Sequence, residues 1–180
     1  MVYGDFSLAQ VKKTFGLTES SVYLFPAVGA IAPSDWLQET LKYSLKLALT
    51  SSSKKARSEF MIAPLLIELE RRNPGNLFIY SGENLDVDGQ RGLREECDFI
   101  LSKGSISLTM QTPIISLVKA KKSDIKGEPG QCIAQMIGAQ LFNQREENNI
   151  PLIYGCVTTG KDWQFLSLEG SHVSVDAQQY

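Results

Sequence analysis

Along the chain, apolar residues recur first at helical spacing, then at every second position, then helically once more, and at every second position again. Residues 6–17 read as a short amphipathic helix, with Leu8, Val11 and Phe15 on one side and Lys12 and Lys13 on the other. The apolar segment 23–32 contains Pro26 and Gly29 and cannot be one regular helix. Ser34 or Asp35 can cap a helix that carries Trp36, Leu37, Leu41, Ser44 and Leu45. Residues 1–50 are therefore expected to lie across the core as a helical layer. Ser51, Ser52 and Ser53 open the next helix, which runs toward Arg72 on Phe60, Ile62, Ala63, Leu65, Leu66 and Leu69, and Pro64 should kink or divide it.

After Asn73-Pro74-Gly75 the period falls to two. The pattern predicts strands over 77–80, 85–87, 97–101, 106–110 and 114–121, with a turn at Asp88-Gly89. Asp86 and Asp88 lack the later Gly and Glu of a calcium-binding loop, so they read as turn residues. The 114–121 run matters most. Ile114, Ile115, Leu117 and Val118 place apolar groups on both faces, as in a central strand, yet the run ends in Lys119, Lys121 and Lys122. Side chains alternate along a strand, so Lys119 and Lys121 project from its end on the face of Leu117.

Gly127-Glu128-Pro129-Gly130 breaks the chain before a helix over 131–144. Gly130, Ala134 and Gly138 form a small-residue stripe, expected to let this helix approach the sheet closely, while Gln131 and Gln135 share another face. Strands follow over 152–157, 163–168 and 173–175. The order predicts one α+β domain with a mixed sheet: a helical N-terminal layer (1–50) and an α/β core (51–180).

Composition changes this picture little. The 180 residues are 43% hydrophobic and 21% charged, with a formal net charge of -2, so no global positive field advertises nucleic acid. Cys97, Cys132 and Cys156 are far apart and form no CxxC pair, which excludes a zinc knuckle and a disulfide framework; each is expected to pack as a small hydrophobe. The single His172 excludes any mechanism that needs a His pair. The absence of a leader-like or membrane-length apolar run makes a cytoplasmic, reduced protein the expectation.

Two motifs carry chemistry. Gly155 to Lys161 has the skeleton of a phosphate-binding loop, but Asp162 stands where Ser or Thr must hold the metal, and a strand rather than a helix follows. It reads as a hairpin turn. The second motif is dispersed: Glu59 on a helix, Asp98 at a strand start and Lys121 at a strand end can converge at one sheet edge. Carboxylates there would hold a hard cation, and Lys121 could orient a water or neutralise a developing phosphate charge.

The segments Lys55-Ala56-Arg57-Ser58-Glu59, Glu96-Cys97-Asp98-Phe99-Ile100-Leu101, Ala120-Lys121-Lys122 and Gly130-Gln131-Cys132-Ile133-Ala134-Gln135-Met136 occur in that order. Together they resemble the PD-(D/E)XK nuclease superfamily, the fold of restriction endonucleases and of the nuclease part of type I restriction enzymes, and within it a largely cyanobacterial group. The resemblance spans roughly 58–168. It implies a restriction-endonuclease-like core, metal-dependent hydrolysis of nucleic-acid phosphodiesters with Mg²⁺ held by Asp98 and Glu59, and a catalytic set of Glu59, Asp98, Lys121 and Gln131, with Gln135 auxiliary. Many proteins of this fold form homodimers, although no apolar stripe or coiled coil in this sequence argues for one.

One position departs from the pattern. The motif expects an acid two residues before Lys121, and Lys119 stands there. An ammonium repels a divalent cation and should pair with Asp98 or Glu59, weakening or abolishing metal-dependent cleavage. Glu83, Glu95 and Glu96 are the carboxylates that could take over the lost role. Three functions stay open: an active endonuclease, a catalytically silent nucleic-acid binder whose basic edge is Lys119, Lys121, Lys122 and Lys126, and a protein-interaction module.

Overall fold

The structure, a computed structural model, describes residues 1–51, 53–104, 109–110, 113–121, 125, 129–148 and 150–180. It is an α+β fold: a seven-stranded mixed sheet with helices on both faces. In chain order the elements are α1 (Leu8–Phe15), β1 (Thr18–Val22), α2 (Asp35–Thr50), α3 (Lys54–Arg57), a π-helical turn (Ser58–Ile62), α4 (Ala63–Arg72), β2 (Phe78–Asn84), β3 (Glu96–Ser102), β4 (Ile114–Ala120), α5 (Pro129–Arg145), β5 (Leu152–Thr158), β6 (Trp163–Glu169) and β7 (His172–Gln179). The sheet order is β1-β7-β6-β5-β4-β3-β2. β4 and β5 run parallel because α5 connects them as a crossover. β1 and β7 are also parallel, and the other neighbours are antiparallel.

β4 is the axis of the fold. Leu117 packs into the core beneath α5, and Val118 into the second core beneath α4. Both are buried, each contributing roughly 2 kcal/mol of apolar burial. Asn143 on α5 ties the helix to the strand: its side chain accepts from Ile114 N at 2.8 Å and donates to Ile114 O at 2.7 Å.

The helical run from Lys54 to Arg72 is divided before Pro64, as its ring requires. Proline has no N–H to donate and clashes with the carbonyl four residues back. The backbone widens into a π turn instead, in which Ala63 N donates to Ser58 O, five residues behind.

Several expectations need correction. Residues 1–50 are not a single helical layer. Thr18–Val22 forms an edge strand beside β7, and the two helices part to opposite faces, α1 packing on α5 and α2 on the π turn and α4. Residues 85–87 form no strand, only a bridge between Asp88 and Leu93; Asp88 and Asp86 spend their carboxylates on the backbone N–H groups of Arg91 and Glu95. The stripe Gly130–Gly138 faces the N-terminal segment rather than the sheet. A Cβ on Gly130 would strike the backbone of Phe6, Ser7 and Leu8, and one on Gly138 would strike the Tyr3 hydroxyl. Close approach of α5 to the sheet depends on Gly155 of β5, where a Cβ would meet Met136 Sδ.

The strand expected over 106–110 lies largely outside the described residues, as do Lys122, Lys126, Gly127 and Glu128; the described Thr109 and Met110 are not in a strand. Gly155 to Lys161 is the end of β5 and its antiparallel turn into β6, where Thr158 Oγ1 accepts from Gly160 N and donates to Asp162 O.

Candidate functional site

Asp98 is the third residue of β3, and Lys119 is next to last on its antiparallel neighbour β4, so both lie at the same end of two neighbouring strands. Asp98 Oδ2 accepts from Ala120 N at 2.9 Å and lies 3.1 Å from Lys119 Nζ. Asp98 Oδ1 is 2.6 Å from Lys54 Nζ. One carboxylate therefore meets two ammonium groups and a backbone amide. The two lysines differ in setting: the Lys119 side chain is 8% exposed, that of Lys54 42%. Burial makes the Lys119 pair the costlier one to break, because a charge left without its partner there has little water to solvate it.

Lys54 was not legible as a site residue. Its one sequence signal is a cation in the first turn of a helix, opposed to the helix dipole, just after the Ser53 cap that accepts from Ala56 N. Asp98 offsets that misplaced charge.

Glu59 sits in the π turn and faces the same cleft as Asp98. This cavity of about 360 Å³ is lined by Lys54, Glu59, Ser81, Gly82, Glu96 and Asp98 among others. The Glu59 side chain is half-exposed and 3.8 Å from Lys55. Lys121 follows β4 directly; its backbone N donates to Thr158 O at 2.7 Å, and its charge acts on the Cys132 thiol. The charge of Lys119 acts on the same thiol.

The glutamines and relocated acids sort themselves by partner. Gln131 Nε2 lies 3.7 Å from where a Cβ on Gly4 would stand, and Glu95 Oε2 lies 3.2 Å from that point. Glu95 is committed to the N-terminal segment, accepting from Gly4 N at 2.9 Å, and holds a left-handed φ of 146° to do so. Gln135 is buried on α5, with Nε2 unpartnered. Glu83 stands on β2 opposite Cys97. Of the three spare acids, only Glu96 reaches the cleft of Asp98 and Glu59.

This donor set does not fit Mg²⁺ as arranged. Both Asp98 oxygens are taken up by ammonium and amide donors, and among the described residues no group of three or more His, Cys, Asp or Glu side chains is placed to hold a metal ion. A hard cation needs several free oxygens at once. Arg57 adds to the positive surroundings: Nη1 donates to Thr159 O at 3.1 Å, and Nε is buried without a partner.

The thiols beneath the site are inert. Burial pushes Cys132 up to about 12 and raises Cys97 and Cys156 as well, so all three are protonated near neutrality.

No family model matches the chain, and no curated protein matches it. No helix among the described residues is long and apolar enough to cross a membrane.

Proposed function

We propose that the chain is a PD-(D/E)XK-type, restriction-endonuclease-like domain that engages nucleic-acid backbone and whose metal-dependent cleavage is weak or lost. The ordered motif segments and the placement of Asp98 and Lys119 at the same end of two neighbouring strands support the fold part of this reading. The observation that carries the functional part is the clamp on Asp98, with Lys54 Nζ at 2.6 Å and Lys119 Nζ at 3.1 Å. A fixed ammonium supplies positive charge where a cation would otherwise sit, and Asp98 then acts as its counter-ion. Lys54 and Lys55 line the Asp98 cleft, with Lys119 paired to Asp98 beside it, and such cations suit phosphates.

The test is titration of Mn²⁺ and Mg²⁺ into this protein and into Lys119→Glu, with plasmid nicking and duplex retention at several salt concentrations. The wild type should retain duplex in a salt-dependent manner, without taking up metal or nicking. Lys119→Glu should gain metal binding and nicking. Nicking by the wild type at the rate of the variant would overturn the silent-site reading. A flat salt response would remove the nucleic-acid reading and leave the interaction-module alternative.

A further inference from the structure

A second cavity shares no lining residue with the Asp98 cleft. It is a groove of about 850 Å³ between α4 and the β4–β6 surface, and its floor and walls include Leu69, Ile115, Val118, Tyr154, Trp163 and Phe165. That volume falls within the range of small-ligand sites, which span about 300–1,000 Å³ and are mostly apolar. Among the described residues its polar lining is Asn73, Asn76, Lys103 and Ser116 with the polar ends of Tyr154 and Trp163, and Lys103 is its only charged member. Lys103 and Asn76 stand together, since Gly104 N donates to Asn76 O.

The segment that follows Phe25, itself a lining residue, is equally unusual. Residues 26–33 read Pro-Ala-Val-Gly-Ala-Ile-Ala-Pro, without one polar side chain, and all are exposed. Val28 is 71% and Ile31 75% exposed. The strap is fixed at both ends to opposite walls of the groove. Phe25 packs edge-on to Phe165, with ring centroids 5.4 Å apart, while Ala32 O accepts from Arg72 and Ser34 bonds Glu68 on α4. An apolar strap left unpacked beside an apolar groove is costly in water, and covering both at once relieves that cost.

We propose that this groove binds a single-chain amphiphile with an anionic head, a medium- to long-chain fatty carboxylate. The acyl chain lies along Leu69, Ile115 and Tyr154, and its carboxylate meets Lys103. The sign of the head group follows from charge: among the described residues the groove offers one cation and no acid.

The test is titration of the intact protein with dodecanoate, decanoate and dodecyltrimethylammonium, each below its micelle concentration, read by Trp163 fluorescence and calorimetry. Dodecanoate should bind at least tenfold tighter than the cationic amphiphile of equal chain length. Each methylene buried should tighten binding about fourfold, so dodecanoate should exceed decanoate about fifteenfold. Lys103→Glu should abolish the preference for the anionic head. Leu69→Glu changes a side chain that is 41% exposed, so it should fold normally and bind at least tenfold more weakly; its unfolding midpoint is the control. Equal affinity for both head groups, or no dependence on chain length, overturns the proposal. So does a failure of every amphiphile to bind while sedimentation shows a dimer that Leu69→Glu dissociates, since the occupant would then be a second copy of the chain.

Discussion

Lys119 Nζ lies 3.1 Å from Asp98 Oδ2, the same oxygen that accepts from Ala120 N at 2.9 Å. The strand that presents the lysine also supplies the amide that orients its counter-ion. The pair is consequently set by the β3–β4 register and does not rely on two flexible side chains finding one another.

The two lysines on Asp98 should differ in worth. Asp98→Asn leaves the buried Lys119 facing a neutral group and should cost about 3 kcal/mol in urea unfolding. Lys54→Met removes the more exposed partner and should cost under about 1 kcal/mol. Equal losses would show that burial does not govern this site.

Lys55 offers a separable test of nucleic-acid engagement, because its side chain is 84% exposed. Lys55→Glu should weaken duplex retention several-fold and shrink the slope of log affinity against log salt by about 0.9 per lost phosphate contact. Unfolding free energy should stay within about 0.5 kcal/mol of the wild type. Unchanged retention would place the phosphate path elsewhere.

Acid should loosen the docking of α2 on α4 through Glu68. The Ser34 hydroxyl first, and Arg72 after it, hold the Glu68 carboxyl below the usual carboxylate range. A lowered folded-state pKa contributes stability above the unfolded value, near 4.3, and loses it as pH falls through the folded one. Glu68→Gln should flatten that acid limb of the stability–pH curve, and an unaltered limb would assign it to other carboxylates.

At alkaline pH the thiols act with the opposite sign. Burial raises all three, with Cys132 at about 12, so the unfolded chain gives up its thiol protons first, from about pH 8.5. Stability should fall as pH rises past that point. A thiol reagent at pH 8 should label the cysteines only at the rate of unfolding; rapid labelling of the native protein would contradict their burial.

Gly138→Ala sets two effects in opposition. Alanine favours the helix by roughly 0.5–1 kcal/mol over glycine. Its Cβ would displace the Tyr3 hydroxyl, which donates to Leu85 O at 2.8 Å, and such overpacking costs roughly 1–3 kcal/mol. The net change should be destabilising. At Gly130 the obstacle is backbone and cannot rotate away, so Gly130→Ala should lower the melting temperature further.

The sequence alone determined whatever depends on local period and local chemistry. The two-sided apolar run of β4, a helix start at Ser34 or Asp35, the break before Pro64 and the hairpin nature of Gly155 to Lys161 each follow from a few adjacent residues. It also made Lys119 a cation in need of an acid. Tertiary structure decided which residues meet across large separations. Lys54 reaches Asp98 from 44 positions away because a helix start overlies a strand start. Glu95 turns from the cleft to Gly4, 91 positions distant. The stripe on α5 faces Tyr3, and residues 18–22 add an edge strand through pairing with β7, whose partners no periodicity encodes. A residue's period tells which way it faces along its own element, whereas the partner it faces depends on how the elements pack.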